Sequence, residues 1–252
     1  MFLRLLTPSW PLPRGIRSAI TTRVGGASVA SYDGFNLGDH VGDNPEHVRS
    51  NRQQLSECVG KDISWLAQVH GTDIVDDSTA SINKQAVQAD ACFSAKPGAV
   101  CAVLTADCLP VLLCSQSTGH IAAVHAGWRG LAAGILAKVI TKFNEPASSL
   151  IAYLGPAISQ KNFEVGTDLL DAFTASESSG LVNHGVAKHF DPGNSPDKYF
   201  FNIYAFARAE FNALGLHQVY GGEYCTVADD EVFYSYRRDG TTGRFASLIW
   251  RD

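Results

Sequence analysis

The sequence predicts an α+β fold, a single domain over residues 1–252 built of layered mixed β-sheets flanked by helices. Three observations predict it. Short β-rich runs crowd the stretch from Ile63 to His125, while helical spacing holds only in separate blocks, so strands and helices do not alternate as a doubly wound fold requires. No internal repeat, low-complexity tract or clean linker divides the chain. With 252 residues, 45% of them apolar and 18% charged, there is enough material for a full core.

Taken in order, Ile16 to Thr22 reads as a strand ending in Arg23-Val24-Gly25-Gly26, a glycine turn with an arginine at its entrance. Asn44 as N-cap, Pro45 at the first helical position and Glu46 in the first turn open a helix that runs to Val59 and stops at Gly60. β-rich runs follow at Ile63 to Val69, Ala91 to Ser94, Val100 to Leu104, Val111 to Cys114 and Ile121 to His125. Leu131, Ile135, Leu136, Val139, Ile140 and Phe143 recur at helical spacing. Leu150 to Leu154 is a further strand, closed by Gly155-Pro156. Ser176 to Lys198, rich in Ser, Gly, Asn and Pro, reads as a long surface excursion. Asn202 caps a helix through Leu214, with Gly215 as its stop, and Val219 to Tyr220, Val232 to Tyr236 and Phe245 to Trp250 read as closing strands.

Composition narrows the function. A net charge of −5 argues against nucleic acid as a partner, because neutralising phosphates needs a basic surface. No apolar stretch approaches the roughly 18 to 20 residues that span a bilayer. Met1 to Leu6 is apolar but too short for a secretory segment, and Pro8, Pro11 and Pro13 break it, so a cytoplasmic protein, monomeric or a small homo-oligomer, is expected. The six cysteines, Cys58, Cys92, Cys101, Cys108, Cys114 and Cys225, are then expected as thiols. No Cys-x-x-Cys pair is present.

Three residues stand apart: His70 in Gln68-Val69-His70-Gly71, Cys108 in Ala106-Asp107-Cys108-Leu109-Pro110, and His125 in Val124-His125-Ala126-Gly127-Trp128-Arg129-Gly130. Each lies at or near the end of a strand-like run, beside Gly or Pro, where a rigid element delivers a side chain to an open pocket. Taken singly, each has an ordinary reading as a hydrogen-bonded or packing residue. Together, two imidazoles and a thiolate suit zinc, and three ligands rather than four leave a position for water or substrate. His40, His47, His120, His184, His189 and His217 are scattered and read as structural. Arg237, Arg238 and Arg244 read either as a solvated hairpin or as a clamp for phosphate or carboxylate, to which Arg23 and Arg129, beside glycines, are further candidates.

These stretches, with Thr21-Thr22-Arg23-Val24-Gly25-Gly26, Phe35-Asn36-Leu37-Gly38 and Phe233-Tyr234-Ser235-Tyr236-Arg237-Arg238, resemble the YfiH-type family, also labelled polyphenol-oxidase or laccase-domain proteins and purine nucleoside phosphorylases. The resemblance spans Thr21 to Trp250. It implies zinc on His70, Cys108 and His125, and an enzyme that cleaves adenosine, inosine and methylthioadenosine with phosphate and also deaminates adenosine. The partners implied are a small nucleoside and phosphate. Zinc lowers the pKa of bound water from 15.7 towards about 7, which suits attack at C6 of adenine. Asp107 and Glu164 are candidate proton carriers. Where the family often has Cys-Tyr-Glu-Val-Gly, this chain has Asn162-Phe163-Glu164-Val165-Gly166, so any role of that cysteine is absent.

Three other functions stay open at this point. A laccase would need on the order of ten histidines for its copper sites. The chain has eight, none in a His-x-His pair, and its methionine is Met1, although one copper suits the same three donors. A metal-free hydrolase would use Cys108 as nucleophile with a histidine base, acting for instance on peptidoglycan precursors. A non-enzymatic module would use the metal only to hold its fold.

Overall fold

Two β-sheets lie face to face and helices cover both outer surfaces, in a computed structural model that describes residues 3–76, 86–183 and 185–252. The first sheet is antiparallel, in the order β1 (Leu5–Leu6), β2 (Ile16–Thr21), β15 (Phe245–Arg251) and β7 (Val100–Thr105). The second is mixed, in the order β14 (Gln218–Gly221), β10 (Leu150–Leu154), β8 (Leu109–Ser115), β9 (Ile121–Ala126), β6 (Ala91–Ser94) and β4 (Ile74–Asp76). Its outer pairs are parallel and its inner pairs antiparallel. Short pairs β3 (Leu66–Ala67) with β5 (Val87–Gln88), and β11 (Glu164–Gly166) with β13 (Lys198–Phe201) and β12 (Phe190–Pro192), complete the strands described. The expected α+β layering with mixed sheets is the architecture found.

The near-continuous apolar strands follow from burial on both faces. In β7, Cys101 and Val103 point between the sheets, while Val100, Ala102 and Leu104 pack with Leu55 of the helix Pro45–Val59. In β8, Leu112 and Cys114 point between the sheets, and Val111 and Leu113 pack against Leu131, Ile135 and Phe206 of the outer helices. Side chains alternate with period two, so each strand serves two cores. Burial pushes the Cys114 thiol up to about 12, and none of the six cysteines forms a disulfide. Among the described residues, no helix is long and apolar enough to cross a membrane.

The helix Pro45–Val59 forms as its caps dictate, with the Asn44 side chain accepting from the Glu46 N–H and Gly60 left-handed at φ 70°. Four expectations need correction. The run Leu131 to Phe143 is broken into helices Trp128–Ala132 and Ile135–Phe143, because Gly134 takes φ 78° between them. Val232 to Tyr236 is not a strand: Val232 ends a turn, Phe233 to Ser235 have no regular structure, and Ser235 caps a short helix, Tyr236–Asp239, by accepting from the Arg238 N–H. Ile63 to Val69 is extended but pairs only at Leu66–Ala67. Ser176 to Lys198 is not a plain excursion: it begins in the last turn of the helix Thr167–Ser178, contains β12, and buries Val182, Val186 and Phe190 in the core beneath the helices. His184, within that stretch, lies outside the described residues.

Candidate metal centre

The hairpin β8–β9 sets the centre. In its register Pro110 lies opposite His125 and Leu109 opposite Ala126, so Cys108, one residue before β8, lies close to His125. His70 arrives from the segment after β3. That segment is tethered by Gln68, whose side-chain amide donates to the Leu104 carbonyl (2.8 Å) and accepts from the Leu104 N–H (2.7 Å), replacing a ladder partner for β7. His70 and Asp107 are left-handed without being glycine, at φ 61° and 96°. Such conformations persist where surrounding bonds fix them. For Asp107 those bonds come from the Thr226 hydroxyl (2.5 Å) and the Arg237 N–H (2.6 Å), one to each carboxylate oxygen.

For His70 they come from Asp90, which sequence reasoning missed. This wholly buried carboxylate accepts from the backbone N–H of His70 (2.9 Å), Gly71 (2.6 Å) and Val69 (3.3 Å), and lies 2.7 Å from Nδ1 of His125. One side chain therefore positions two candidate ligands: the loop bearing His70 and the ring of His125. Burial works against its ionisation, but His125 and the backbone donors hold its pKa below the usual carboxylate range. The signal available was a charge inside the otherwise small and apolar run Ala89-Asp90-Ala91-Cys92.

The donor atoms of His70, Cys108 and His125 all lie within 4.8 Å of one another, with Cys108 Sγ 3.7 Å from His70 Nε2. Zinc–sulfur and zinc–nitrogen bonds of about 2.3 and 2.05 Å at tetrahedral angles require about 3.6 Å between such atoms, so the set fits a metal ion. The electrostatics fit too. Burial opposes ionisation of Cys108, but His125 and then His70 outweigh it and bring the thiol down to about 6. Burial likewise opposes a charge on His125, and the Cys108 thiolate and Asp90 outweigh it, raising the imidazole to about 9. A metal would replace the His125 proton as counter-charge to the thiolate, so its uptake releases that proton.

Gly127 leaves the space into which the donors point. A Cβ there would lie 2.8 Å from His70 Cδ2, 3.2 Å from Cys108 Sγ and 3.6 Å from His125 Nε2, although its backbone at φ −65° accepts any residue. Gly127→Ala is therefore expected to lower metal content at least tenfold by elemental analysis, with a melting temperature unchanged within a few degrees. Full metal content in that variant would place the ion elsewhere.

A cleft of about 420 Å³ opens above the three donors. Arg129, Arg237 and Arg244 line it, together with Trp128, Ile158, Phe163, Ile203, Tyr236 and His40. Arg129 stacks on Trp128 with its guanidinium carbon 4.3 Å from the ring centroid, and no carboxylate or carbonyl partners it among the described residues. Arg237 donates to the Asn162 and Glu164 carbonyls, and Arg244 to those of Thr242 and Gly243. Neither guanidinium has a carboxylate partner among the described residues.

The other three candidates lie elsewhere. Arg238 donates to the Thr226, Val227 and Phe233 carbonyls and pairs with Asp239, an anchor for the turn before it rather than a cleft group. Arg23 lies over the Tyr234 ring and donates to the Asp230 carbonyl, in a separate hollow. The Glu164 carboxylate turns away from the cleft to accept from the Asn194 N–H (2.8 Å).

Residues 17–252 match the family model described as multi-copper polyphenol oxidoreductase laccase. The chain is 44% identical to the purine nucleoside phosphorylase YfiH of Escherichia coli, over 98% of each chain. It is 41% identical to a purine nucleoside phosphorylase of Haemophilus influenzae, over 98% of this chain and 99% of that one. Among solved structures, Neisseria meningitidis protein NMB0706 superposes with a TM-score of 0.92 at 45% identity, covering 98% of this chain and 99% of that one. YlmD of Geobacillus stearothermophilus superposes with a TM-score of 0.83 at 28% identity, covering 94% and 92%.

Proposed function

Because this chain belongs to the family described as multi-copper polyphenol oxidoreductase laccase, and relatives at 44% and 41% identity bear the name purine nucleoside phosphorylase, we propose that it is a metal-dependent enzyme acting on purine nucleosides. Its reactions are phosphorolysis of adenosine, inosine and methylthioadenosine, and hydrolytic deamination of adenosine, with zinc held by His70, Cys108 and His125. One observation carries this reading: a single cleft joins the three-donor centre to an apolar wall and to guanidinium groups that lack carboxylate partners.

Trp128, Ile158, Phe163 and Ile203 offer flat apolar surface for a base and sugar, with a few polar groups to orient them. Arg129, whose guanidinium has no hydrogen-bond partner among the described residues, suits a phosphate that it grips through two parallel hydrogen bonds. Arg237 and Arg244, fixed by carbonyls, hold positive charge where an attacking anion approaches. A bound zinc ion supplies a Lewis acid and water of lowered pKa. With eight histidines in the chain and one three-donor cluster among the described residues, a blue-copper site with a trinuclear cluster does not fit, so phenol oxidation is not proposed.

Incubation with adenosine tests the reading. Adenine and ribose 1-phosphate are expected only when phosphate is present, and inosine with or without it. Arg129→Ala is expected to slow the phosphate-dependent branch at least about tenfold and deamination much less, since a charge-assisted contact is worth roughly 1.5–3 kcal/mol. No product from any purine nucleoside, together with phenol oxidation by copper-loaded protein, would refute it.

A second reading rests on Cys108 itself, whose lowered pKa and 3.7 Å approach to His70 also suit a nucleophile in a cysteine hydrolase. Metal removal separates the two.

A further inference from the structure

Resting on the nucleoside reading above, we propose that His40 is the group that gives the departing base its proton, with Asp39 and Arg52 as positioning residues behind it. The ionisable groups in the cleft leave this role open. His70, Cys108 and His125 are the metal donors. Both oxygens of Asp107 already accept hydrogen bonds, and the Glu164 carboxylate is bonded outside the cleft. Arg129, Arg237 and Arg244 stay charged and give up no proton. His40, which the sequence pattern left among the structural histidines, stands on the cleft wall, where its ring approaches Asp39 without reaching hydrogen-bond length. Tyr236, the remaining ionisable group of the cleft, carries a phenol, and imidazole rather than phenol is the side chain suited to exchange protons near neutrality.

The surroundings of His40 are built in one direction. Its Nδ1 stands 3.6 Å from Oδ1 of Asp39, beyond hydrogen-bond length, as such contacts often are before a ligand closes the site. Oδ2 of Asp39 lies 3.1 Å from Arg52, and Arg52 is fixed by donating to the Leu37 carbonyl (2.9 Å) and stacking on Trp65 at 4.6 Å. The Asp39 carboxyl is held at about 2, by His40 first and by Arg52, against partial burial. An ionised carboxylate behind Nδ1 orients the ring and leaves Nε2 for the cleft, where Asp107, Arg129, Arg237 and Arg244 share the space with the donors His70, Cys108 and His125.

The step balances. Hydrogen phosphate forms the bond to C1′ of the ribose, and the C1′–N9 pair leaves on the purine. A ring nitrogen of the purine takes the proton from Nε2, and His40 recovers one from the phosphate, so the products are ribose 1-phosphate and neutral base. The test uses the metal-loaded protein with phosphate and two substrates: inosine, whose base needs a proton to leave, and 4-nitrophenyl riboside, whose phenolate does not. His40→Gln is expected to lower kcat on inosine about 10²- to 10⁴-fold with KM within about threefold. It is expected to retain metal content and turnover of the nitrophenyl substrate within about threefold of wild type. Equal losses on both substrates, or no loss on inosine, would overturn the assignment of His40 while leaving the nucleoside reading intact. Wild-type protein inert on both substrates would overturn that reading and this inference with it.

Discussion

Stripping the metal with a tight chelator is expected to lower nucleoside turnover at least about a thousandfold, because the metal supplies several kcal/mol of stabilisation to the reacting groups. Cys108→Ala is expected to match that loss and to purify with little metal. The thiol gives a second readout. In stripped protein it becomes a thiolate beside a protonated His125, held at about 6 rather than near its ordinary 9. Since only the thiolate is alkylated, the rate should rise through about pH 6 and level off above it, and readded zinc should suppress it. Cys225, whose pKa is lowered by donors from Ser159 and Asn162 against burial, is subtracted with the Cys108→Ala protein. Undiminished turnover without metal would instead promote Cys108 to nucleophile.

Asp90→Ala is expected to cost about 3–5 kcal/mol of stability, the usual cost of removing one partner from a buried charged network. Three backbone donors and the Nδ1 of His125 would lose their acceptor in a space closed to solvent. For a chain of this length the melting temperature should fall by roughly 10 °C. Asp90→Asn keeps the shape but turns one acceptor oxygen into a donor facing N–H groups. It should therefore fold and still bind metal about 10- to 100-fold more weakly, as loss of a ligand's orienting partner does. Metal affinity unchanged in Asp90→Asn would show that the carboxylate serves the fold alone.

The strands were legible where burial on two faces writes a continuous apolar run, as in Val111 to Cys114 and Leu150 to Leu154, and the helix Pro45–Val59 was legible from its caps. Runs that mix these signals misled. Val232 to Tyr236 has strand composition because Phe233 and Tyr234 are wholly buried, yet the backbone there turns to let Arg238 reach three carbonyls. The helix Thr167–Ser178 went unseen because its serines and threonines weaken the apolar spacing. At the site, ligand-type residues beside turn formers marked the three side chains that the fold brings together, while Asp90 carried no turn or spacing signal. Arginine clusters could not be sorted from sequence, since Arg237 and Arg238 are neighbours whose side chains leave in different directions.

The hairpin that carries Cys108 and His125 is tied by its own ladder of strand pairs, whereas the apolar cleft walls come from separate segments near Phe163 and Ile203. On the proposed reading, a substitution at Phe163 or Ile203 can alter which molecules fit without moving Cys108 or His125. Selectivity is thus modular with respect to reactivity: one scaffold of this kind can be redirected to a new substrate through a few wall residues, while its chemistry passes through unchanged.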